Sequence, residues 1–278
     1  MKRLFLTLIF IAFLISITFA QGSDEYEAKS LGMGEVFVTL DGNGETYFFN
    51  PATLVLKKYP QLSLSFDYPY KDNLNLKLNY FYPSTSFFAI SVNLIYDIEN
   101  NSYNFENWKG GIAFPLTPNL SFGTSFQFLK EENSLKGNLG LMINLWGTIR
   151  AGLVGYGYTV KKVSDKEYLL TLPEGYAIGL SLKPFSSTSL YVDLVDVVNY
   201  NKENSWEYLR FGLEQWIGNF LALRWGSIGD ITNPLNYTLG VGLRLNILQI
   251  DFATLLGPII NQQESNNQKY KITGSIRF

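Results

Sequence analysis

The chain reads as an all-β protein, a transmembrane antiparallel up-and-down β-barrel of about 14 strands with an N-terminal segment held in its lumen. Three observations predict this. From Gln61 onward apolar residues recur at every second position, the strand period. Many of these runs reach roughly 9–11 residues, the reach of a tilted membrane strand, against about 5–6 in ordinary sheets. The connections between them also sort by parity, tight ones alternating with longer polar ones, as barrels with one short-turn rim require.

Composition narrows the function. The 278 residues carry 22 basic and 24 acidic side chains, a net charge of −2, so no basic patch argues for nucleic acid. There is no Cys and no His. That excludes disulfides and thiolate chemistry, and it removes the commonest metal ligand and general base. A Ser-His site is impossible, no nucleophile stands paired with a base, and neither an enzyme, a metal site nor a cofactor is expected. Aromatics are abundant instead, with 18 Tyr and 21 Phe, as suits rings at a lipid boundary.

Taken in order, Met1 to Ala20 has the three parts of a secretory signal. Lys2 and Arg3 are the charged start, Leu4 to Ile17 the apolar core, and Thr18-Phe19-Ala20 places small residues at −3 and −1 of a cut between Ala20 and Gln21. No Cys follows, so a lipoprotein is not expected. No later run is apolar enough for a helical span, which leaves a periplasmic protein, a secreted one or a barrel. The expected division is 1–20 signal, 21–60 lumenal segment and 61–278 barrel, in the bacterial outer membrane.

The strands alternate cleanly. Leu62, Leu64, Phe66 and Tyr68 face one way, and Ser63, Ser65 and Asp67 the other; Leu139 to Leu145, Tyr237 to Leu245 and Tyr270 to Phe278 repeat the pattern. The polar face is built of Gly, Ser, Thr and Asn with scattered charges, as a wet or plugged lumen requires. Tight turns are expected at Pro83–Ser86, Pro115–Asn119, Gly147-Thr148, Phe185–Thr188, Gly218-Asn219 and Asn246-Ile247. Longer loops are expected at Glu99–Asn107, Lys130–Lys136, Lys161–Gly175, Asn199–Ser205, Gly226–Asn236 and Gly257–Gln268, with Pro69–Asn73 the shortest. Trp108, Trp146, Trp206 and Trp216 fall toward strand ends, at headgroup level. The chain stops on Phe278, on the apolar face of its last strand. A terminal Phe there resembles the signal read by the outer-membrane barrel assembly machinery.

Ser30 to Leu56 breaks the strand period. Gly32, Gly34, Gly42 and Gly44 are spaced for bends. Glu35 to Leu40 can form a short strand or turn, and Tyr47-Phe48-Phe49 is a dense apolar knot. At Asn50-Pro51, Asn caps and Pro takes the first position of one or two helical turns through Leu56. Such a segment must be buried, and the lumen is the available place.

Gly32-Met33-Gly34, Asp41 and Tyr47-Phe48-Phe49-Asn50-Pro51-Ala52-Thr53-Leu54 resemble the N-terminal hatch of FadL-like outer-membrane transporters and of the related PorV-type proteins. The resemblance implies a 14-stranded barrel with this segment as hatch and passive movement of a hydrophobic or amphipathic small-molecule ligand. For PorV-type members it implies instead a non-transporting platform for secretion-system or surface proteins. Outer-membrane lipid and the assembly machinery are partners in either case. Candidate ligand-lining residues are Phe37, Tyr47, Phe48, Phe49, Arg210, Arg224 and Arg244. Asp41-Gly42-Asn43-Gly44-Glu45 also looks like the start of a calcium loop, but Thr46 and Ala52 stand where its sixth-position Gly and twelfth-position Glu belong.

Because charge on the lipid face costs roughly 2–4 kcal/mol near the midplane, charged strand residues are expected inside. These are Asp67, Lys77, Asp97, Lys109, Arg150, Lys183, Asp193, Arg210, Glu214, Arg224, Arg244, Asp251, Lys271 and Arg277. They would form a solvated lumen of ion pairs, some to Glu35, Asp41 and Glu45, or a weak preference for anionic amphiphiles whose carboxylate meets an arginine. Arg210, Arg224 and Arg244 sit at descending depths and do not form an obvious cluster.

Overall fold

Apolar–polar alternation closes on itself in three dimensions. A computed structural model describes residues 26–42, 44, 46–68, 74–82, 89–99, 102–129, 134–162, 168–199, 208–229, 236–256 and 269–278. The strands are β1 (Gln61–Tyr68), β2 (Leu74–Tyr82), β3 (Ala89–Glu99), β4 (Ser102–Pro115), β5 (Leu120–Leu129), β6 (Ser134–Asn144), β7 (Ile149–Lys162) and β8 (Tyr168–Leu170). They continue as β9 (Gly175–Phe185), β10 (Thr188–Asn199), β11 (Tyr208–Ile217), β12 (Leu221–Gly229), β13 (Asn236–Leu245), β14 (Leu248–Leu256) and β15 (Lys269–Arg277). Each pairs antiparallel with its sequence neighbours, and β1 pairs with β15 from Gln61↔Arg277 to Tyr68↔Tyr270, which closes the wall. β8 pairs only with the far end of β7, beyond the stretch of β7 that meets β9. Among the described residues the closed barrel therefore has fourteen strands plus this short addition. Closure leaves no free edge, the condition for spanning lipid with strands.

The two faces separate by chemistry. Leu139, Leu141 and Ile143 of β6, Ile178 and Leu180 of β9, and Leu239 and Leu243 of β13 are exposed on the outside. Their alternates, including Gly140, Ser181 and Thr238, are buried. Such a continuous apolar exterior is what a hydrocarbon environment demands. Of the inward list, Lys77, Asp193, Arg210, Glu214, Arg224, Asp251 and Lys271 are buried, Lys109, Arg150, Arg244 and Arg277 are half-buried, and Lys183 is exposed. The side chains of Asp67 and Asp97 lie outside the described residues.

Two connections differ from expectation. Glu99–Asn107 is not a loop, because β3 and β4 pair as far as Glu99↔Ser102. The polar residues read as a loop continue the strands. The parity of connection length is accordingly confined to the second half, where 163–174, 200–207, 230–235 and 257–268 face 186–187, 218–220 and 246–247. In the first half, 100–101 and 130–133 are no longer than 116–119 and 145–148. The turn expected at Pro83–Ser86 lies outside the described residues, as does the leader with its Ala20–Gln21 cut.

Residues 26–57 pack against the inward faces. The helical turn α1 (Ala28–Leu31) lies on β13, β14 and β15, and buries Ala28 and Leu31 against Ala253 and Leu255. Glu35 to Leu40 forms no strand: the chain turns through Gly34 (φ 69°) and Glu35 (φ 57°). It crosses by way of Val38 to α2 (Thr46–Phe49) and a 3-10 helix (Pro51–Leu56), which meet β4, β5 and β6. Asn50 caps that helix, its Oδ1 accepting from Ala52 N at 3.1 Å, with Pro51 at the first position.

Candidate functional site

The wall receives the internal segment in notches made by facing glycines. Gly123 and Gly140 are register partners on β5 and β6, and a Cβ on Gly123 would sit 2.6 Å from Pro51 C and Ala52 N. Gly140 is pressed closer still by Asn50 Oδ1. Gly152 and Gly179, partners on β7 and β9, accept Val38. Gly212 and Gly226, partners on β11 and β12, accept Met33 and Gly34. Beside these notches the wall supplies hydrogen bonds. Asp193 Oδ2 accepts from Phe37 N at 2.6 Å and Val38 N at 2.9 Å. Thr238 Oγ1 accepts from Gly34 N at 2.8 Å, and Ser125 Oγ donates to Phe48 O at 2.6 Å.

Where segment and wall part, toward the rim of the 130–133 and 200–207 connections, they leave a cavity of about 400 Å³. That volume lies within the usual range for small-ligand sites. Tyr26, Phe37, Phe48 and Phe49 line it from the segment, and Phe126, Tyr156 and Val195 from the wall. Tyr26 and Phe49 stack with centroids 4.4 Å apart, and Phe37 leans on Phe49 at 5.4 Å. The polar lining includes Lys109, Gln127, Asn138, Asp196 and the ion pair Lys136–Glu174 at 3.1 Å. Arg210 closes one side. Its guanidinium lies 5.0 Å from the Tyr26 ring centre and donates to Tyr26 Oη at 2.7 Å and Glu35 O at 2.8 Å. Register shifts in the wall border the cavity, between Gly137 and Asn138 on β6 and between Val195 and Val198 on β10, where Asp196 has φ 58°.

The sequence candidates separate here. Phe37, Phe48, Phe49 and Arg210 line the cavity; Tyr47, Arg224 and Arg244 do not. Tyr47 is buried beneath the 3-10 helix, edge-on to Phe81 at 4.6 Å. Arg224 is fully enclosed between Glu214 at 2.8 Å and Asp251 at 2.7 Å, so its charge is spent within the wall. Arg244 stands near the opposite, short-turn rim, its guanidinium 4.1 Å from the Trp216 ring centre. It connects to Arg224 through Gln249 and Asp251, whereas Arg210 stands apart. Gly32, Met33, Gly34, Asn50, Pro51 and Ala52 form the seat of the segment on the wall and not the cavity lining. Tyr26, Phe126, Tyr156 and Glu174 are lining residues that sequence reasoning missed. Tyr156 shares the inward parity of Gly152 and Val154, and Phe126 lies beside inward Ser125 and Gln127.

Asp41 binds within the segment, with Lys57 Nζ at 3.1 Å and a hydrogen bond from Tyr47 Oη at 3.0 Å. Burial opposes its ionisation, but the charges of Lys57 and Lys29 outweigh that and hold its carboxyl well below the usual range. This pairing occupies the carboxylate that a calcium loop would need first. Among the described residues no group of three or more acidic side chains could hold a metal ion. Phe278 is exposed on the outer face, its N–H donating to Pro60 O at 3.0 Å.

No protein-family model and no curated protein sequence matches the chain. Solved structures do. The toluene transporter TbuX of Ralstonia pickettii aligns with a TM-score of 0.66 at 14% identity, covering 92% of this chain and 99% of that one. The toluene transporter TodX of Pseudomonas putida aligns at 0.62 and 12% identity, covering 92% and 98%. Both are similar over nearly their whole length, and at these identities the likeness is one of fold.

Proposed function

We propose that this chain, a barrel with the fold of FadL-type transporters, is a passive outer-membrane conduit for hydrophobic or amphipathic small molecules, with residues 21–60 as its hatch. The observation that carries the reading is the aromatic cavity of about 400 Å³ between the segment and the wall. A segment serving only to seal the lumen has no need of three clustered rings along the edge of a cavity. Absence of His and Cys fits a site that binds without reacting. The solved proteins of similar fold are toluene transporters, which makes a monoaromatic hydrocarbon a suitable first probe.

The full chain in a short-chain detergent should release a bound apolar fluorophore when titrated with toluene, saturably. Phe49→Ser, which removes the ring stacked on Tyr26, should weaken this roughly tenfold. No saturable displacement from a well-folded barrel, with a secreted protein co-purifying, would shift the reading to a platform of PorV type. The hatch assignment has its own test: deleting Gly32 to Ala52 should raise small-solute leakage in planar bilayers while the barrel persists. Unchanged leakage in a folded deletion removes the assignment.

A further inference from the structure

The end of the lumen opposite the cavity carries a second arrangement. In the inward-facing layer next to the short turns, the described charged side chains are Arg150, Lys183, Arg244 and Arg277, all cations. The carboxylates nearby are already engaged, Glu214 and Asp251 by Arg224 and Asp41 of the internal segment by Lys57. Two of the rim cations converge. Arg244 donates to Gln249 Oε1 from Nε at 3.2 Å and Nη2 at 3.0 Å, and Arg277 Nη2 donates to the same oxygen at 3.1 Å. Gln249 is itself fixed, its Nε2 donating to Asp251 Oδ2 at 2.8 Å. Among the described residues neither Arg244 nor Arg277 has a carboxylate in ion-pair range.

Two guanidinium groups held side by side on one neutral oxygen repel each other. The arrangement places two half-buried positive forks together and leaves most of their N–H groups unspent. Trp216 fixes the plane of Arg244 and presents an apolar ring beside the charge. Planar forks of this kind match a carboxylate, which takes two parallel N–H bonds from each guanidinium it meets.

We infer that Arg244 and Arg277, with Gln249 and Trp216, form a carboxylate-binding site at the short-turn mouth of the lumen, filled by the head of an amphipathic molecule. That occupant rests on the conduit reading; the anion chemistry of the site does not.

Sodium benzoate titrated calorimetrically into the full chain in non-ionic detergent tests the site. The parent chain should bind benzoate saturably. Arg244→Gln and Arg277→Gln should each weaken binding roughly tenfold to a hundredfold, the effect of losing a charge-assisted hydrogen bond. Lys161→Gln, which removes an exposed charge at the other end of β7, should leave binding unchanged. Arg277→Lys, keeping charge without the fork, should fall between and shows the loss is not one of folding. Heat-modifiable migration verifies each barrel. No benzoate binding by the parent, or equal binding in both glutamine variants, overturns the inference. If toluene displaces the fluorophore while benzoate fails, only this site falls. If benzoate binds through the arginine pair while toluene fails, the site stands and the conduit reading falls.

Discussion

Substituting Gly123 by Ala separates the stability of the wall from that of the segment it holds. The new Cβ would lie 2.6 Å from Pro51 C and Ala52 N, both backbone atoms that no rotamer change can move. Ordinary carbon contacts begin near 3.5 Å, so the Asn50-Pro51-Ala52 turn must retreat by roughly 1 Å. Overpacking of this kind costs about 1–3 kcal/mol. At about 1.4 kcal/mol per factor of ten, that lowers the protection of the docked segment by roughly 5- to 150-fold. The wall responds with the opposite sign. Gly123 has no positive φ, and replacing a strand glycine by Ala removes a backbone entropy cost of roughly 0.5–1 kcal/mol. Gly274 on β15 is the internal control, since a Cβ there meets nothing within 4 Å. Hydrogen exchange read by peptide should show residues 46–56 exchanging faster in Gly123→Ala and unchanged in Gly274→Ala, while the β5 and β6 amides stay protected in both. Equal protection of residues 46–56 in the two variants would mean that the glycine notch does not seat the segment.

Three further expectations follow from the buried charges. Asp193→Ala leaves Phe37 N and Val38 N buried without an acceptor, at about 1–3 kcal/mol each, so these two amides should lose protection before the rest of the segment. Arg224→Met strands Glu214 and Asp251 inside the wall and should lower the barrel's heat-modification midpoint by the equivalent of about 3–5 kcal/mol; adding Glu214→Gln and Asp251→Asn should recover most of it. The depressed carboxyl of Asp41 contributes stability that is fully present above its unfolded pKa, near 3.8, and is lost as pH falls toward its folded value. Leakage through planar bilayers should therefore stay flat from pH 7 to about 4 and rise below it.

Much of the wall could be read from the letters because lipid outside and a filled interior inside impose opposite chemistry on alternate residues. The polar ends of β3 and β4 were lost to a loop because strands that pass beyond the membrane no longer need an apolar face. Register at this hairpin was not legible: a two-residue turn at Gly218-Asn219 would set Glu214 opposite Leu223, and it is the three-residue turn 218–220 that sets Glu214 opposite Arg224 and Gly212 opposite Gly226. The first pair neutralises an arginine otherwise counted as free for ligand; the second makes a notch. The notches still resist sequence reading, since Gly123 facing Pro51 and Gly274 facing outward carry the same letter. The cavity is harder again, because its shape depends on where Phe48 and Phe49 stop short of β5 and β6.

The way the segment is fastened bears on how a closed lumen can open. Among the described residues its backbone bonds either stay within it or go to wall side chains such as Thr273, Thr238 and Asp193. Each such bond contributes only about 0.5–1.5 kcal/mol net, somewhat more for the charged Asp193. Among the described residues no strand pair holds the segment, so no ladder there has to unzip for it to move. The barrel, by contrast, is closed by continuous pairing from β1 round to β15. Steric fit at the glycines gives the segment its position, and a handful of separable bonds gives it its hold. A ligand entering among Tyr26, Phe37 and Phe49 would press on the part of the segment fastened by Asp193 while the Asn50-Pro51-Ala52 turn stays seated on Gly123 and Gly140. Release can thus begin at β10 and leave the β5–β6 anchor in place, and this order is what the separate exchange of Phe37, Val38 and residues 46–56 would read.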